Sequence, residues 1–252
     1  MLLDSMIVYN PKHFMSKIVL YIMRFDLAFS MLDSVKEIHK LYEVISTSAK
    51  ESNFPKDDIR GKFFQNCGHL LSNVIMLHNS FAAIDNPRSL SDQDIVRIFG
   101  FPDLNTVSDD VQNCSGFIIS GLITEFLFQV ENMFAILLTE NDGQKHRGFE
   151  KIIDEMLVFS DVNNAEEMKK DFLALSYIRN TKHSDGIHNN DDFTHTIENV
   201  DFKFEKGKLN ENNLLIQILV AIERIFKNIV EILKQPMISN MTQTTILRNV
   251  DP

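Results

Sequence analysis

Apolar residues recur at three- and four-residue spacing along most of this chain, and that period commits it to helices. The strongest stretch lies inside a predicted helix from about Val107 to Thr139, where Phe117 to Leu138 is apolar nearly all round. Such a helix belongs at the centre of a bundle. Around it the spacing predicts a long helix from Pro11 to about Ala49, with Ile18, Ile22, Phe25, Phe29, Leu32, Val35 and Tyr42 on its stripe. A second runs from about Asp58 to Ile84, apolar at Phe63, Phe64, Leu70, Leu71, Val74 and Leu77. Asn86-Pro87 and Gly100-Phe-Pro break the chain on either side of a short helix from Ser91 to Phe99. Helices at Phe149–Phe159, Asn164–His183 and about Asn212–Gln235 follow, the last with a Leu/Ile seam from Leu215 to Ile232 and stopped by Pro236.

The one departure from helical period falls between Phe193 and Leu209. Phe193, His195 and Ile197, then Val200, Phe202 and Phe204, alternate with polar residues as half-buried strands do. The predicted fold is therefore all-α: a bundle of long antiparallel helices with a small β-hairpin insertion (193–209) before the last helix. It is read as a single domain over 1–252, with N-terminal helices to residue 104, a helical core over 105–236 and a loose tail from Met237.

Charge narrows the function classes. The chain has 25 Lys+Arg against 35 Asp+Glu, a net −10, which argues against a protein that coats nucleic acid. The acidity is uneven. Residues 85–142 hold ten acidic side chains against Arg88 and Arg97, a net −8. Residues 143–182 hold seven of each sign, so a local phosphate site there is compatible with the overall balance. Met1 to Ile7 has no basic region leading into an apolar run, so no secretory signal is predicted. The charge-free neighbourhood Val111–Thr124 is too short for a membrane span. Cys67 and Cys114, isolated in helical apolar settings, are expected to be packed thiols of a reduced, cytoplasmic protein.

The stretch that carries chemistry is Tyr177-Ile-Arg-Asn-Thr-Lys-His-Ser-Asp-Gly-Ile-His188. At about 100° per residue, Met168, Phe172, Leu175 and Arg179 project in nearly one direction, with His183 one turn further. A guanidinium and an imidazole thus continue an apolar stripe, where they need partners. The structural alternative is a basic last turn that complements the helix dipole, capped near Gly186.

Arg179-Asn180 followed by His, at the end of a helix in an all-α chain, resembles the HEPN superfamily (higher eukaryotes and prokaryotes nucleotide-binding). The likeness is best over about Ala165 to Pro236. It implies a short helical bundle, commonly a homodimer, and in many members a metal-independent RNA endonuclease of toxin or antiviral defence systems. Other members are binding or antitoxin modules. The family spacing places four to six residues between Arg and His. Here three separate Arg179 from His183 and eight separate it from His188, so both histidines stay open as the partner. The implied roles are phosphate binding by Arg179, orientation by Asn180 and proton transfer by His183 to or from the RNA 2′-hydroxyl and the leaving oxygen.

A second constellation overlaps the first. His183, Asp185, His188, Asp191, Asp192 and His195 crowd one loop and include metal-ligating types, but their spacing fits a solvated polar loop better than a fixed ligand face. No metal and no cofactor are expected. There is no dinucleotide fingerprint, no phosphate-binding Gly-Lys-Ser/Thr loop and no Gly-x-Ser-x-Gly elbow. Asp57-Asp58 and Asp109-Asp110 are expected as helix-start carboxylates. The functional expectation is a HEPN-like ribonuclease acting as a homodimer on RNA, with a protein partner such as an antitoxin or defence subunit. The alternative is a non-catalytic helical interaction protein, and a third possibility is a metal-dependent hydrolase built on the His/Asp loop, with His183, Asp185, His188, Asp192 and His195 as its ligand candidates.

Overall fold

A computed structural model describes residues 36–85, 104–182, 184–210 and 215–242, with side chains except those of 78–115 and 182. Helical residues 36–52 are α1. They are followed by α2 (Ile59–Asp85), α3 (Leu104–Asp142), α4 (Phe149–Ser160), α5 (Ala165–Lys182), β1 (Phe193–Ile197), β2 (Val200–Phe204), α6 (Leu215–Lys234) and α7 (Pro236–Ser239). Among the described residues the chain is all-α with one two-stranded antiparallel sheet before the last long helix, as its periodicity predicts.

The elements share one core. α3, 39 residues long, packs against α2, α4 and α5, and α5 packs against α6. Leu122, Phe126, Val130, Phe134 and Leu137 are the inward face of α3, and Ile222, Ile225, Ile229 and Ile232 that of α6. Each such side chain contributes about 1.5–3 kcal/mol by leaving water. Phe63 of α2 stacks on Phe226 of α6 with centroids 6.0 Å apart, and Phe134 meets Phe172 of α5 edge-on at 6.1 Å. Polar links fix the register. Asn66 donates to Gln129 at 2.8 Å between α2 and α3, and Lys169 bridges α5 to Asp154 of α4 at 2.8 Å.

Local chemistry starts and stops the helices. Asp58 caps α2, its Oδ1 accepting the Arg60 backbone N–H at 2.8 Å. α4 follows Gly148 (φ 86°) and ends on Asp161 in the left-handed region. Glu166 and Glu167 occupy the first turn of α5, where carboxylates suit the dipole. In the hairpin, Phe193 pairs with Phe204, His195 with Phe202 and Ile197 with Val200. The connection turns through Glu198 at φ 54°. His195, Ile197, Phe202 and Phe204 face inward, so the period-two alternation reads the buried face correctly.

Several expectations are corrected. Tyr42 is exposed, because the inward face of α1 is Ile38, Leu41 and Ile45. Leu77 on α2 and Phe117 and Phe128 on α3 are exposed, so α3 is apolar all round but buried on one side. α3 begins at Leu104, which places Asp109 and Asp110 beyond its first turn. The tail is not loose at its start: Pro236–Ser239 form a helical turn, and Ile238 is fully buried. Gly116–Asp142 is long and apolar enough to cross a membrane by length and composition, exceeding the Val111–Thr124 limit read from sequence; half of its apolar window is buried in the fold. Pro11–Val35, the helix Ser91–Phe99, His183 and the side chain of Cys114 lie outside the described residues.

Candidate functional site

Arg179 opens the last turn of α5, where α3 and α4 approach. Its helix places it in line with the buried Met168, Phe172 and Leu175, and the guanidinium emerges at the edge of that stripe. The Phe149 ring of α4 lies under it, 5.1 Å from guanidinium carbon to centroid. Glu131 of α3 is 4.0 Å from Nη1. The side chain is 19% exposed, and among the described residues no hydrogen bond reaches it. Burial pushes its pKa down from the usual value, and Glu131 opposes this. A cation held on an aromatic face with unspent donors is arranged to receive an oxyanion. Asn180, next in sequence, is exposed.

From Ser184 on, the segment after α5 is held by hydrogen bonds. Gly186, at φ 83°, donates its N–H to the Thr181 carbonyl at 2.8 Å, and Asn210 donates to the Thr181 hydroxyl at 3.2 Å. Ile187 bridges Leu209, and His188 donates its backbone N–H to Lys208 at 2.9 Å. The strand exit therefore closes over the end of the motif helix.

The remaining loop candidates do not converge. His188 is buried, donating from Nε2 to the Asp191 carbonyl at 2.9 Å, with its ring against Tyr177 and Phe204. That engages the imidazole in packing. Asp191 pairs with Lys206 at 2.9 Å, and Asp192 accepts the Lys206 backbone N–H at 2.8 Å. Asp185 is exposed at φ 53°. Among the described residues, no group of three or more His, Cys, Asp or Glu side chains could hold a metal ion. Cys67 is buried, and burial pushes its thiol pKa far up, so it is not a nucleophile.

His195 turns the other way, toward α5 and α6, and enters a network that spacing does not disclose. Its Nε2 donates to Asp171 Oδ1 at 2.6 Å. Asp171, nearly buried, also accepts from Arg224 Nε at 3.1 Å and Asn228 Nδ2 at 2.8 Å. A buried carboxylate needs such charge-assisted donors to offset its lost hydration. Asn228 interrupting the Ile225–Ile229 seam, and Asp171 beside buried Phe172, are the only sequence signals for this cluster.

No protein-family model matches the chain, and no curated protein or solved structure matches it.

Proposed function

We propose that this chain is a HEPN-like, metal-independent RNA endonuclease of a toxin or antiviral defence system, working in the cytoplasm as a homodimer. The carrying observation is Arg179: a half-buried guanidinium on an aromatic face, with no hydrogen bond among the described residues and one carboxylate at 4.0 Å. Its unspent donors suit a backbone phosphate and the negative charge that grows on it during cleavage. Asn180 is exposed beside it to orient the phosphate. His183, next in the motif, takes the proton role. The 2′-oxygen attacks phosphorus, the bond to the 5′-oxygen breaks, and one proton moves from the 2′-hydroxyl while another reaches the leaving oxygen.

A second reading, a non-catalytic helical interaction protein such as an antitoxin-like or scaffold subunit, draws on exposed apolar side chains of α2 and α3: Met76, Leu77, Phe117 and Phe128.

The deciding experiment incubates the full chain with mixed RNA, with and without EDTA, beside Arg179→Ala and His183→Ala. The nuclease reading expects cleavage that survives EDTA and falls at least about 100-fold in each variant, the scale of losing one transition-state donor or proton carrier. No cleavage by a folded, dimeric wild type rejects it in favour of the interaction module. Cleavage abolished by EDTA rejects the metal-independent mechanism.

A further inference from the structure

The side chains of the Asp171 network carry more hydrogen-bonding nitrogens than the network itself uses. Anchoring the hairpin to α5 and α6 requires His195 Nε2, Arg224 Nε and Asn228 Nδ2, all spent on one carboxylate. That leaves His195 Nδ1 and the terminal nitrogens of Arg224 without a hydrogen bond among the described residues. Asp171 holds the His195 imidazole and the Arg224 guanidinium, so their orientation is set before any ligand arrives.

One anion already stands beside His195 Nδ1. Glu167 lies one turn before Asp171 on α5, and its two oxygens are unequally held. Oε1 accepts from Lys170 Nζ at 2.9 Å, whereas Oε2 is 3.8 Å from His195 Nδ1, beyond hydrogen-bond reach. Lys170, His195 and Arg224 together hold the Glu167 carboxyl below its usual pKa, Lys170 contributing most. The carboxylate is 59% exposed and free to swing away. It holds Lys170 within hydrogen-bond distance and leaves His195 Nδ1 outside it.

We propose that Lys170, His195 and Arg224 form a binding site for a phosphate group, with Glu167 as its displaceable internal stand-in. A phosphate presents more acceptor oxygens in a wider, tetrahedral array than a carboxylate. It can therefore engage the ammonium, a terminal guanidinium N–H and His195 Nδ1 together, Nδ1 donating as the imidazolium or accepting from a protonated phosphate oxygen as the neutral ring. Arg224 is 38% exposed and Lys170 45%, so the open side of the site faces solvent. The site is separate from Arg179. On α5, Asp171 and Arg179 are two turns apart, and Arg179 meets α3 and α4 while Asp171 meets β1 and α6.

The test is an NMR titration of the full chain, labelled at histidine nitrogen, with inorganic phosphate. A saturable shift of the His195 Nδ1 resonance is expected. Glu167→Gln should tighten binding by removing the competing charge. Arg224→Gln and Lys170→Gln should each weaken it by about tenfold, the loss of one charge-assisted hydrogen bond. Lys170 is a surface side chain, so its variant keeps the test valid if Arg224→Gln fails to fold. A parallel arm with adenosine 5′-monophosphate assigns the source: tighter binding than inorganic phosphate indicates a nucleotide, equal binding a free anion. Arg179→Ala should leave this titration unchanged, which separates it from RNA cleavage. No saturable His195 shift in wild type and Glu167→Gln, or equal affinity in wild type and Lys170→Gln, overturns the proposal.

Discussion

Arg60 and Asp58, two residues apart at the start of α2, form a buried two-pronged pair. Arg60 Nε donates to Asp58 Oδ1 at 2.8 Å and Nη2 to Oδ2 at 2.6 Å. The same guanidinium reaches across the fold, donating from Nη1 to the Ile238 carbonyl at 2.6 Å and from Nη2 to that of Met241 at 3.2 Å. One side chain therefore ties a helix cap to the turn that follows α6.

Removing either partner should be costly, because it strands a buried charge. Arg60→Met is expected to lose about 3–5 kcal/mol in urea unfolding, and Asp58→Asn a similar amount. The double variant should lose clearly less than the sum. Additive losses would show that the two side chains act independently.

Gly61 and Gly68 lie on the same helix and should respond oppositely to alanine. A Cβ on Gly61 would lie 2.1 Å from the Pro55 carbonyl oxygen, a backbone atom that cannot step aside cheaply. Gly61→Ala is expected to destabilise by at least about 1–3 kcal/mol. At Gly68 the nearest atom is 3.9 Å away, so Gly68→Ala should stabilise by about 0.5–1 kcal/mol. Equal midpoints for the two variants in thermal unfolding would refute the packing argument.

His146 is clasped between Asp142 (Nε2 to Oδ1, 3.0 Å) and Glu155 (Nδ1 to Oε2, 2.6 Å). Both contacts require N–H donors, so they favour the imidazolium and raise its pKa, Asp142 contributing most. A raised folded-state pKa contributes stability below the unfolded value, roughly 6.5, which is lost as pH rises through the folded value. The stability advantage of wild type over His146→Gln should therefore be full in mild acid and fade at alkaline pH. A pH-independent difference in urea unfolding would contradict this.

Glu131 is the carboxylate beside Arg179, and on the proposed nuclease reading it would compete with an incoming phosphate. Glu131→Gln should tighten RNA binding by up to about fivefold, since a partly exposed pair is worth about 0.2–1 kcal/mol. Filter binding at fixed salt measures this. Weaker binding in the variant would mean that Glu131 positions Arg179 rather than competing with it.

The bundle was legible because helical and strand periods are local. Residues three or four apart in α6, or two apart in β1, share a face whatever surrounds them, so spacing alone turns Ile222–Ile232 and His195–Ile197 inward. The same logic placed Arg179 at the end of a buried stripe. It fails at Tyr42 and Phe117, because an apolar side chain is inward only if another element arrives to cover it.

What tertiary structure alone decided is the pairing of polar groups. Asp171 takes its donors from residues 24, 53 and 57 positions away, and Arg60 its carbonyls from 178 and 181 positions away. No local period encodes such separations. A buried charge accepts whichever donors the packed helices bring within hydrogen-bond distance, and it is the packing of β1, α5 and α6 that turned His195 from a member of a polar loop into a donor held by Asp171.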